Sequence, residues 1–445
     1  MAAIRWKSDI DKFVVVANLE RRGWEKEEDD DDWDIYWASV PGVKQIFGNG
    51  GRLHEGQLVN HFPNHFELTR KDLMVKNVKR YQKQVKREGG SLAAQESADI
   101  IPATFVLPQD YALFVEEFRR QPAATWIMKP SSKSQGKGIF LINKLSQVKK
   151  WSSCNSLPPA LRHSQDSYVV SRYIDNPLLI GGKKFDLRLY VVVTSYRPLT
   201  AYLSNLGFGR FCSEKYTTEE AELDNDYVHL TNVSIQRNCE EYNSRHGHKW
   251  TLDSLRLYME ATHGVEASDK LFQDIEACVV KSLRAVCNIM INDKHCFELY
   301  GYDMLIDDNL KPWLVEVNAS PSLAATSPSD RLLKFKVISD TLNLVTPYDW
   351  LASTHLESMP KDLLNANWLS RRGRPQRMGS FHLIHDEQAE LDAIRCQQRS
   401  SSIRETGENG GGSTGGAWYA AGANNGRGAR RPLSAQRPRS AHPVA

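Results

Sequence analysis

Two acidic residues and an amide late in the chain have the types and spacing of a cation site. Asp303 lies in an apolar run of β-forming residues (300–306), and Glu316 lies in a second such run (313–317). Turn-forming residues separate the runs, which predicts a β-hairpin with Asp303 opposite Glu316. Opposed Cβ atoms are about 4.5–5.5 Å apart, so these like charges repel unless a cation lies between them. Asn318 shares the face of Glu316, and this set of oxygen ligands suits Mg²⁺. The alternative is a hairpin with both acids at a solvated rim, which the apolar surroundings disfavour.

A lysine and a glycine turn earlier in the chain suit the phosphates of a nucleotide. The run WIMK predicts a buried strand that ends at Lys129, and KSQGKGIFLI predicts a turn, containing Gln135 and Gly136, that leads into another strand. The lysine supplies a point charge and the turn supplies backbone N–H groups. The run is not GxxxxGK[ST] and no helix follows it directly, which excludes a Walker loop.

Three charged residues alternate along one predicted strand. Lys184, Asp186 and Arg188 in KFDLR face one side of the chain, and the wholly apolar run 189–193 that follows indicates a central strand. Charged groups in register at the end of a buried strand indicate a site, with an edge-strand ion pair as the alternative. Taken with the lysine, the glycine turn and the hairpin acids, they point to ATP with Mg²⁺. A Cys-His or Ser-His-Asp arrangement has no local support, which makes a nucleophilic hydrolase improbable.

Composition sets the class of protein in which this chemistry would occur. The chain has 445 residues, of which 41% are hydrophobic and 25% charged, as in a soluble globular protein of one large or two to three ordinary domains. Its seven cysteines include no CxxC pair, which fits a reducing compartment and gives no zinc signature. The first residues show no secretory signal, and no apolar run reaches about 18 residues, so no membrane span is expected.

Apolar periodicity predicts the elements that would position these groups. We expect a strand and a short helix within 1–24, and a solvated loop at the acidic run 25–34. A Gly/Ser/Arg/Pro-rich composition predicts disorder from about residue 398, after a segment of poor pattern at 350–390. The other predicted elements are a strand at 101–108, a strand followed by an apolar linker within 168–180, a long strand pair at 181–203, and helices at 110–122, 251–262, about 266–290 and about 329–344.

A strip of basic residues lies on one predicted helix. Lys76, Lys79, Arg80 and Lys83 recur at three- and four-residue spacing, which places most of the strip on one helical face. Two interpretations stay open, a solvated helix face and a docking strip for a strongly acidic polymer. Nucleic acid is not the favoured polymer, because no groove-reading motif or stacking aromatic pattern accompanies the strip.

The motifs together resemble those of a known family. WIMKP, QGKGIF, KKFDLRLYV, HLTN, YGYDMLID and WLVEVNASPSL resemble the tubulin tyrosine ligase-like family. The flanking runs NHFELTRKDLMVKN and NPLLIGGKKFDLR are similar to its polyglutamylase branch, particularly the types numbered one and nine. The resemblance covers about residues 4–347 and implies an α/β (α+β) ATP-grasp fold that holds ATP between two mixed subdomains. It implies a catalytic domain over 1–350, with subdomains at about 1–105, 106–185 and 186–350, then an extension (351–397) and a disordered tail (398–445).

The family's roles carry over by position. Arg188 would face the γ-phosphate and the acyl-phosphate, and Arg210 and Lys249 would hold the carboxylates of the incoming glutamate. Mg²⁺ would be bound by Asp303, Glu316 and Asn318, of which Glu316 is also counted as catalytic. Contacts to ATP are expected from Lys129, Gln135, Gly136, Ser171, Arg172, Tyr173, Ile174, Lys184, Phe185, Asp186, Thr231 and Asn232.

The activity implied by the resemblance is ATP-dependent addition of free L-glutamate to glutamate side chains in the acidic tails of tubulin. The resemblance implies that the protein acts in the cytoplasm on the cytoskeleton, including the cilium or flagellum. Accessory subunits are further expected partners, whereas binding to nucleic acid and a membrane span are not expected. The basic strip then gains tubulin tails as a partner. Three alternatives stay open: a tubulin glycylase, another ATP-grasp ligase or kinase that acts on a small molecule, and a non-catalytic tubulin-binding relative.

Overall fold

Three β-sheets with flanking helices make up a mixed α/β architecture. The computed structural model describes residues 4–27, 32–48, 50–89, 98–148, 167–240, 242, 248–347, 350 and 375–408. Residues Met1–Leu391 form one compact unit and Asp392–Ala445 form a second. No helix within the described residues combines the length and the apolar character that crossing a bilayer requires.

The first sheet is parallel and small. Its order is β2-β1-β3-β4, with β1 at Arg5–Ser8, β2 at Glu25–Lys26, β3 at Ile35–Trp37 and β4 at Leu58–Val59. The predicted strand followed by a short helix is confirmed by β1 and by α1 (Phe13–Glu20). Part of the acidic run is strand β2, not loop, although its residues are exposed as predicted. The helices that follow are α2 (Val40–Gly48), α3 (Phe66–Thr69) and α4 (Lys71–Arg87).

The second sheet is antiparallel and carries the predicted phosphate lysine. Its order is β5-β8-β6-β7, with β5 at Thr104–Leu107, β6 at Trp126–Pro130, β7 at Phe140–Ile142 and β8 at Tyr168–Arg172. Helix α5 (Tyr111–Arg120) packs on this sheet through a cluster that includes Phe114 and Trp126. Lys129 lies on β6 opposite Val169 of β8.

The third sheet is the largest and is built around one 14-residue strand, β10 (Lys183–Tyr196). This strand pairs with β9 (Leu179–Ile180), β11 (Leu199–Ser204), β12 (Phe208–Phe211) and β14 (Glu298–Ile306). Further strands are β13 (Lys249–Thr251), β15 (Pro312–Asn318), β16 (Arg377–Met378) and β17 (Phe381–Asp386). Its helices are α6 (Asp226–His229), α7 (Val233–Gln236), α8 (Leu252–His263), α9 (Val265–Cys287), α10 (Pro328–Val345) and α11 (Glu387–Glu408).

The predicted hairpin is confirmed as β14 and β15. Asp303 pairs with Glu316, and a bulge follows between Asp303 and Met304. The turn is ordered by Asp307, whose carboxylate accepts hydrogen bonds from the backbone N–H groups of Asn309 and Lys311, both at 2.9 Å. Helix α8 is capped by Thr251, whose side chain accepts a hydrogen bond from the Ser254 N–H at 3.2 Å.

Two regions near the C-terminus differ from the sequence prediction. The poorly patterned segment contains β17, which pairs with β11 from Thr200 to Ser204 and so extends the large sheet. Helix α11 continues to Glu408, so residues 398–408 are helical where disorder was expected. The first part of this helix, 387–399, is rich in Glu, Gln, Ala and Arg, which are good helix formers, and the helix continues from there to just before the glycine-rich run. The rest of the predicted tail, 409–445, lies outside the described residues.

Candidate active site

A row of charged residues crosses five strands of the large sheet. Asp186 of β10 is in register with Arg210 of β12, which is in register with Lys249 of β13. Arg188 of β10 is in register with Asp303 of β14, which pairs with Glu316 of β15. Side chains of registered residues point to the same face of a sheet, and residues two apart on one strand share that face. The sequence therefore places six ionisable groups from distant segments on one surface.

This surface forms one wall of a cleft, and the smaller antiparallel sheet forms the other. The cleft encloses about 1110 Å³ of empty space, including the part that is open to solvent. Clefts with a few convergent polar groups are typical binding sites for small molecules. The predicted site residues that line it are Lys129, Gln135, Gly136, Ser171, Arg172, Tyr173, Ile174, Lys184, Asp186, Arg210, Thr231, Asn232, Asp303 and Glu316.

Asp303 is the centre of the charged row. Its carboxylate accepts hydrogen bonds from Arg188 Nε at 2.6 Å and Arg188 Nη2 at 3.1 Å, and it lies 2.8 Å from Arg210 Nη2. Burial alone would raise the pKa of Asp303, but the two arginines outweigh burial and hold that pKa well below its usual range. Arg210 also donates to Asp186 from Nε at 2.8 Å. Both arginines therefore stay charged and fixed in position.

Glu316 has a cationic partner that sequence reasoning missed. Lys71 Nζ lies 2.9 Å from Glu316 Oε2 and donates to the carbonyl oxygen of Lys133 at 3.2 Å. The spacing of apolar residues in α4 could have indicated that Lys71 is buried. Lys71 precedes Met74, Val75 and Val78 by three, four and seven residues, which places it on the buried face of a helix whose other lysines lie elsewhere.

The hairpin residues fit a bound Mg²⁺. Asn318 Nδ2 donates to Glu316 Oε1 and to the Gly301 carbonyl oxygen, both at 3.3 Å, so Asn318 Oδ1 is the atom that can ligate a cation. Two carboxylates and one amide oxygen are hard ligands suited to this metal. Among the described residues no group of three or more His, Cys, Asp and Glu side chains has the placement of a metal site. Magnesium usually keeps several waters and is bound by one or two carboxylates with substrate phosphates, so the small number of hairpin ligands suits it.

Two lysines face the cleft from opposite walls, Lys129 half-buried and Lys184 buried. Burial lowers the pKa of Lys129 to about 8, with Lys71 adding to the effect, and Glu316 opposes it. Burial likewise lowers the pKa of Lys184 to about 8, and the charge of Lys129 contributes. Phosphate oxygens would favour the protonated form of both lysines.

The glycine turn is held against the segment that contains Thr231 and Asn232. Gly136 has a φ of 77°, and a Cβ there would lie 2.5 Å from Ile235 Cδ1 and 3.1 Å from Asn232 Oδ1. Only glycine combines this backbone conformation with so close an approach. The Ser234 hydroxyl also donates to the Gln135 carbonyl oxygen at 2.8 Å. The turn and the Thr231–Asn232 segment thus reach the cleft together.

Four predicted site residues do not line the cleft wall. Arg188 and Asn318 lie two residues along their strands from Asp186 and Glu316, and they contact Asp303 and Glu316 respectively. Phe185 faces the other side of β10, as strand alternation requires, and stacks on Phe211 with ring centroids 5.2 Å apart. The side chain of Phe185 was expected to contact ATP, but it points away from the cleft.

Lys249 is the fourth of these residues and lies at the far end of the charged row. Its Nζ donates to Asp330 at 3.1 Å and to Thr326 Oγ1 at 2.9 Å. Burial lowers its pKa, and Asp330 opposes that effect.

The basic strip lines a separate groove. Lys76, Lys79, Arg80 and Lys83 lie together on α4 facing the segment 106–113. Lys79 lies 3.5 Å from Asp110, and Arg80 donates to the Ala285 carbonyl oxygen at 3.1 Å. Lys71 in the cleft begins the same helix, whose 17 residues span about 25 Å at 1.5 Å per residue. One helix thus links the groove to the cleft.

Comparison with known proteins gives consistent matches. The description "Tubulin-tyrosine ligase family" matches residues 52–352. A Tetrahymena thermophila protein named "Probable alpha-tubulin polyglutamylase Ttll1" is 50% identical over 398 residues, which cover 87% of this chain and 94% of that protein. A Rattus norvegicus protein named "Probable tubulin polyglutamylase TTLL9" is 44% identical over 440 residues, 90% of this chain and 95% of that protein. "Tubulin polyglutamylase TTLL5" of Mus musculus is 38% identical over 310 residues, 66% of this chain and 21% of that protein.

Proposed function

Because the chain belongs to the tubulin-tyrosine ligase family, we propose that it is an ATP-dependent tubulin polyglutamylase. It joins free L-glutamate to glutamate side chains in the acidic C-terminal tails of tubulin. The observation that carries the proposal is the cleft in which the hairpin acids, two lysines and Arg210 converge, with Arg188 bound to Asp303. We further propose that the fold is an ATP-grasp fold, in which ATP lies between the antiparallel sheet and the large sheet.

The chemistry requires an activated carboxylate. A carboxylate reacts poorly with an amine, because its charge repels the nucleophile and its oxygen is a poor leaving group. ATP bound with Mg²⁺ would transfer its γ-phosphoryl group to the side-chain carboxylate of tubulin, with ADP as the leaving group. The amino group of free glutamate would then attack the acyl-phosphate, lose a proton and expel inorganic phosphate, which leaves an amide bond. Asp303, Glu316 and Asn318 would hold the metal.

The residues around the hairpin orient the reactants and stabilise charge. Lys129 and Lys184 bind phosphate oxygens, and the glycine turn covers them. Arg188, fixed by Asp303, stabilises the oxyanion that forms when the amine attacks, because a preorganised cation needs no reorganisation at that moment. Arg210 and Lys249 hold the carboxylates of the incoming glutamate. The segment 171–174 contacts the adenine, and Thr231 and Asn232 lie near the ribose and phosphates.

The test is incorporation of radiolabelled amino acids into microtubules by the purified protein with ATP and Mg²⁺. Glutamate labelling that depends on ATP is expected. Glycine labelling would make the protein a glycylase, and tyrosine labelling would make it a tyrosine ligase. Labelling that appears only after addition of a ciliary extract would show that an accessory subunit is required.

The substitution Glu316→Gln tests the metal assignment. It removes one charged ligand but keeps the size of the side chain, so we expect normal folding and a loss of glutamate incorporation of about 10²-fold or more. Glu55→Gln is the matched control, because Glu55 has a side chain that is 94% exposed. Full activity of Glu316→Gln would refute the assignment.

The basic groove is proposed to dock the acidic tubulin tail on its way to the cleft. The double substitution Lys76→Glu and Lys83→Glu should raise KM for microtubules about tenfold or more with little change in kcat. The difference should shrink as salt rises, because exposed charges are screened over about 8–10 Å at physiological ionic strength. Lys270→Glu, an exposed charge reversal on α9, is the control. An unchanged KM would show that the strip is only a solvated helix face.

A further inference from the structure

A chain of four hydrogen bonds runs behind one of the cleft lysines. Lys184 Nζ donates to the Tyr173 hydroxyl at 2.9 Å and to the His229 carbonyl oxygen at 3.0 Å. The Tyr173 hydroxyl lies 2.9 Å from His229 Nδ1, and His229 Nε2 lies 2.9 Å from the Glu222 carbonyl oxygen. His229 belongs to the HLTN motif, whose Thr231 and Asn232 have expected roles while His229 has none.

The direction of each bond in this chain follows from donor and acceptor chemistry. The Glu222 carbonyl oxygen can only accept, so His229 carries its proton on Nε2. Nδ1 of the neutral ring is then an acceptor, and the Tyr173 hydroxyl donates to it. The Tyr173 oxygen is left with lone pairs only, which makes it an acceptor for Lys184.

The surroundings keep the imidazole in this neutral form. Burial lowers the pKa of His229 to about 4, and the nearby charge of Lys184 contributes. The Tyr216 ring packs edge-on against His229, and its hydroxyl donates to the Asp175 carbonyl oxygen at 3.0 Å. The Lys184 ammonium also lies 4.3 Å from the centroid of the Tyr173 ring. The chain is thus enclosed by groups that keep Tyr173 and Lys184 in one arrangement.

An ammonium group has three N–H donors, and this arrangement accounts for two of those on Lys184. Lys184, Tyr173 and His229 all line the cleft. We propose that His229 is a positioning residue for nucleotide binding: it fixes the Tyr173 hydroxyl as an acceptor, so that Lys184 is held with its third N–H directed at an acceptor atom of the bound nucleotide. This inference rests on the proposed function in so far as the ligand of the cleft is ATP.

The experiment compares two substitutions that each retain one half of the imidazole. The side-chain amide of His229→Asn reaches the position of Nδ1 and can still accept from Tyr173. The amide of His229→Gln reaches the position of Nε2 and can still donate to Glu222, but it removes the acceptor that Nδ1 of His229 offers to Tyr173. Tyr173→Phe keeps the ring over Lys184 and removes the hydroxyl. The exposed His263→Gln on α8 is the control.

Binding of ATP with Mg²⁺ is measured by isothermal titration calorimetry, beside thermal melting of each variant. We expect His229→Gln and Tyr173→Phe each to weaken ATP binding about tenfold, and His229→Asn to change it less than about twofold. The double variant His229→Gln with Tyr173→Phe should bind no more weakly than Tyr173→Phe alone, because both act through one contact. KM for glutamate should not change.

Each result decides the question. Wild-type affinity in His229→Gln, or additive effects in the double variant, would overturn the inference. If His229→Gln does not fold, wild-type affinity in Tyr173→Phe would overturn it. A wild-type protein that binds no ATP would overturn both the inference and the proposed function. A wild-type protein that binds ATP, with variants that follow the expected order, but that incorporates no amino acid, would overturn the proposed function alone.

Discussion

Two buried acids on the same strand have opposite surroundings. Asp303 and Glu298 are five residues apart on β14, so they face opposite sides of the large sheet. Asp303 is 2% exposed and is bound by Arg188 and Arg210 at the edge of a cleft. Glu298 is 0% exposed; His61 Nδ1 lies 2.9 Å from its Oε1, and the backbone N–H of Phe62 donates to its Oε2 at 3.2 Å.

The difference separates an acid that lines the cleft from an acid that joins two parts of the fold. Arginine does not lose its proton at accessible pH, so Asp303 stays ionised, and its partner Arg210 also lines the cleft. Glu298 interacts with His61 and Phe62, which follow strand β4. Val59 of β4 itself forms an isolated parallel bridge with Cys296. Glu298 therefore fixes the first part of the chain to the large sheet, away from the cleft. Burial alone does not distinguish these roles, but the nature of the partners does.

The substitution Asp303→Asn should have the largest effect. It removes the acid that is in register with Arg188 and, under the proposed function, a ligand of the metal, so we expect a loss of glutamate incorporation of about 10²-fold or more. Removing one partner of a buried ion pair also costs about 3–5 kcal/mol of unfolding free energy. Rate assays and urea unfolding measure the two effects. A stable variant with the wild-type rate would remove the distinction between the two acids.

Raising the pH should weaken ATP binding, and we expect this effect to be smaller than that of Asp303→Asn. Lys129 and Lys184 are protonated below their pKa of about 8 and neutral above it. ATP affinity in calorimetry is therefore expected to fall from pH 7 to pH 9, by up to about tenfold per pH unit for each lysine that must be charged. Flat affinity across this range would contradict the roles of the lysines.

The same lysines should make the protein without ATP more stable as the pH rises, which is the opposite of the trend in ATP affinity. Their folded-state pKa of about 8 lies below the ordinary value of 10.5, so the unfolded chain binds more protons between these values. The free energy of unfolding should therefore rise with pH across this window. Lys129→Met and Lys184→Met, measured by urea unfolding, should remove that rise.

The substitution Glu298→Gln should have the smallest effect on activity. It keeps the shape and an acceptor oxygen but weakens the contacts with His61 and Phe62, so we expect a loss of about 1–3 kcal/mol in unfolding free energy. Activity per folded molecule should stay within about twofold of wild type. A large fall in that specific activity at temperatures far below the melting point would show that Glu298 also acts on the cleft.

The sequence predicted the parts of the fold that depend on local patterns. The hairpin pairing of Asp303 with Glu316 follows from a turn flanked by two apolar runs, and the charged face of β10 follows from strict alternation. The same alternation turns Phe185 away from the cleft, which a motif carried over as a block of consecutive residues ignores.

The contacts that were missed join segments far apart in the chain. The ion pair between Lys71 and Glu316 depends on how α4 lies against the hairpin, and no local pattern contains that information. Strand β17 was missed because it alternates only weakly between polar and apolar residues and gains its stability from the edge of β11. The prediction that residues 1–350 form the catalytic domain stays a prediction, although the compact unit continues to Leu391.

The length and pairing of β10 restrict which changes of chain length the protein can accept. Its even-numbered residues from Lys184 to Tyr190 face the cleft side, and its odd-numbered residues from Phe185 to Val193 enter the opposite core. Insertion or deletion of a single residue here would turn the even-numbered side chains towards the apolar core and the odd-numbered side chains towards the cleft. The charged groups would then be buried among apolar residues. Point substitutions can therefore be sampled one at a time along this strand, whereas a change in its length would have to arise beyond Tyr196, in the turn that leads to β11.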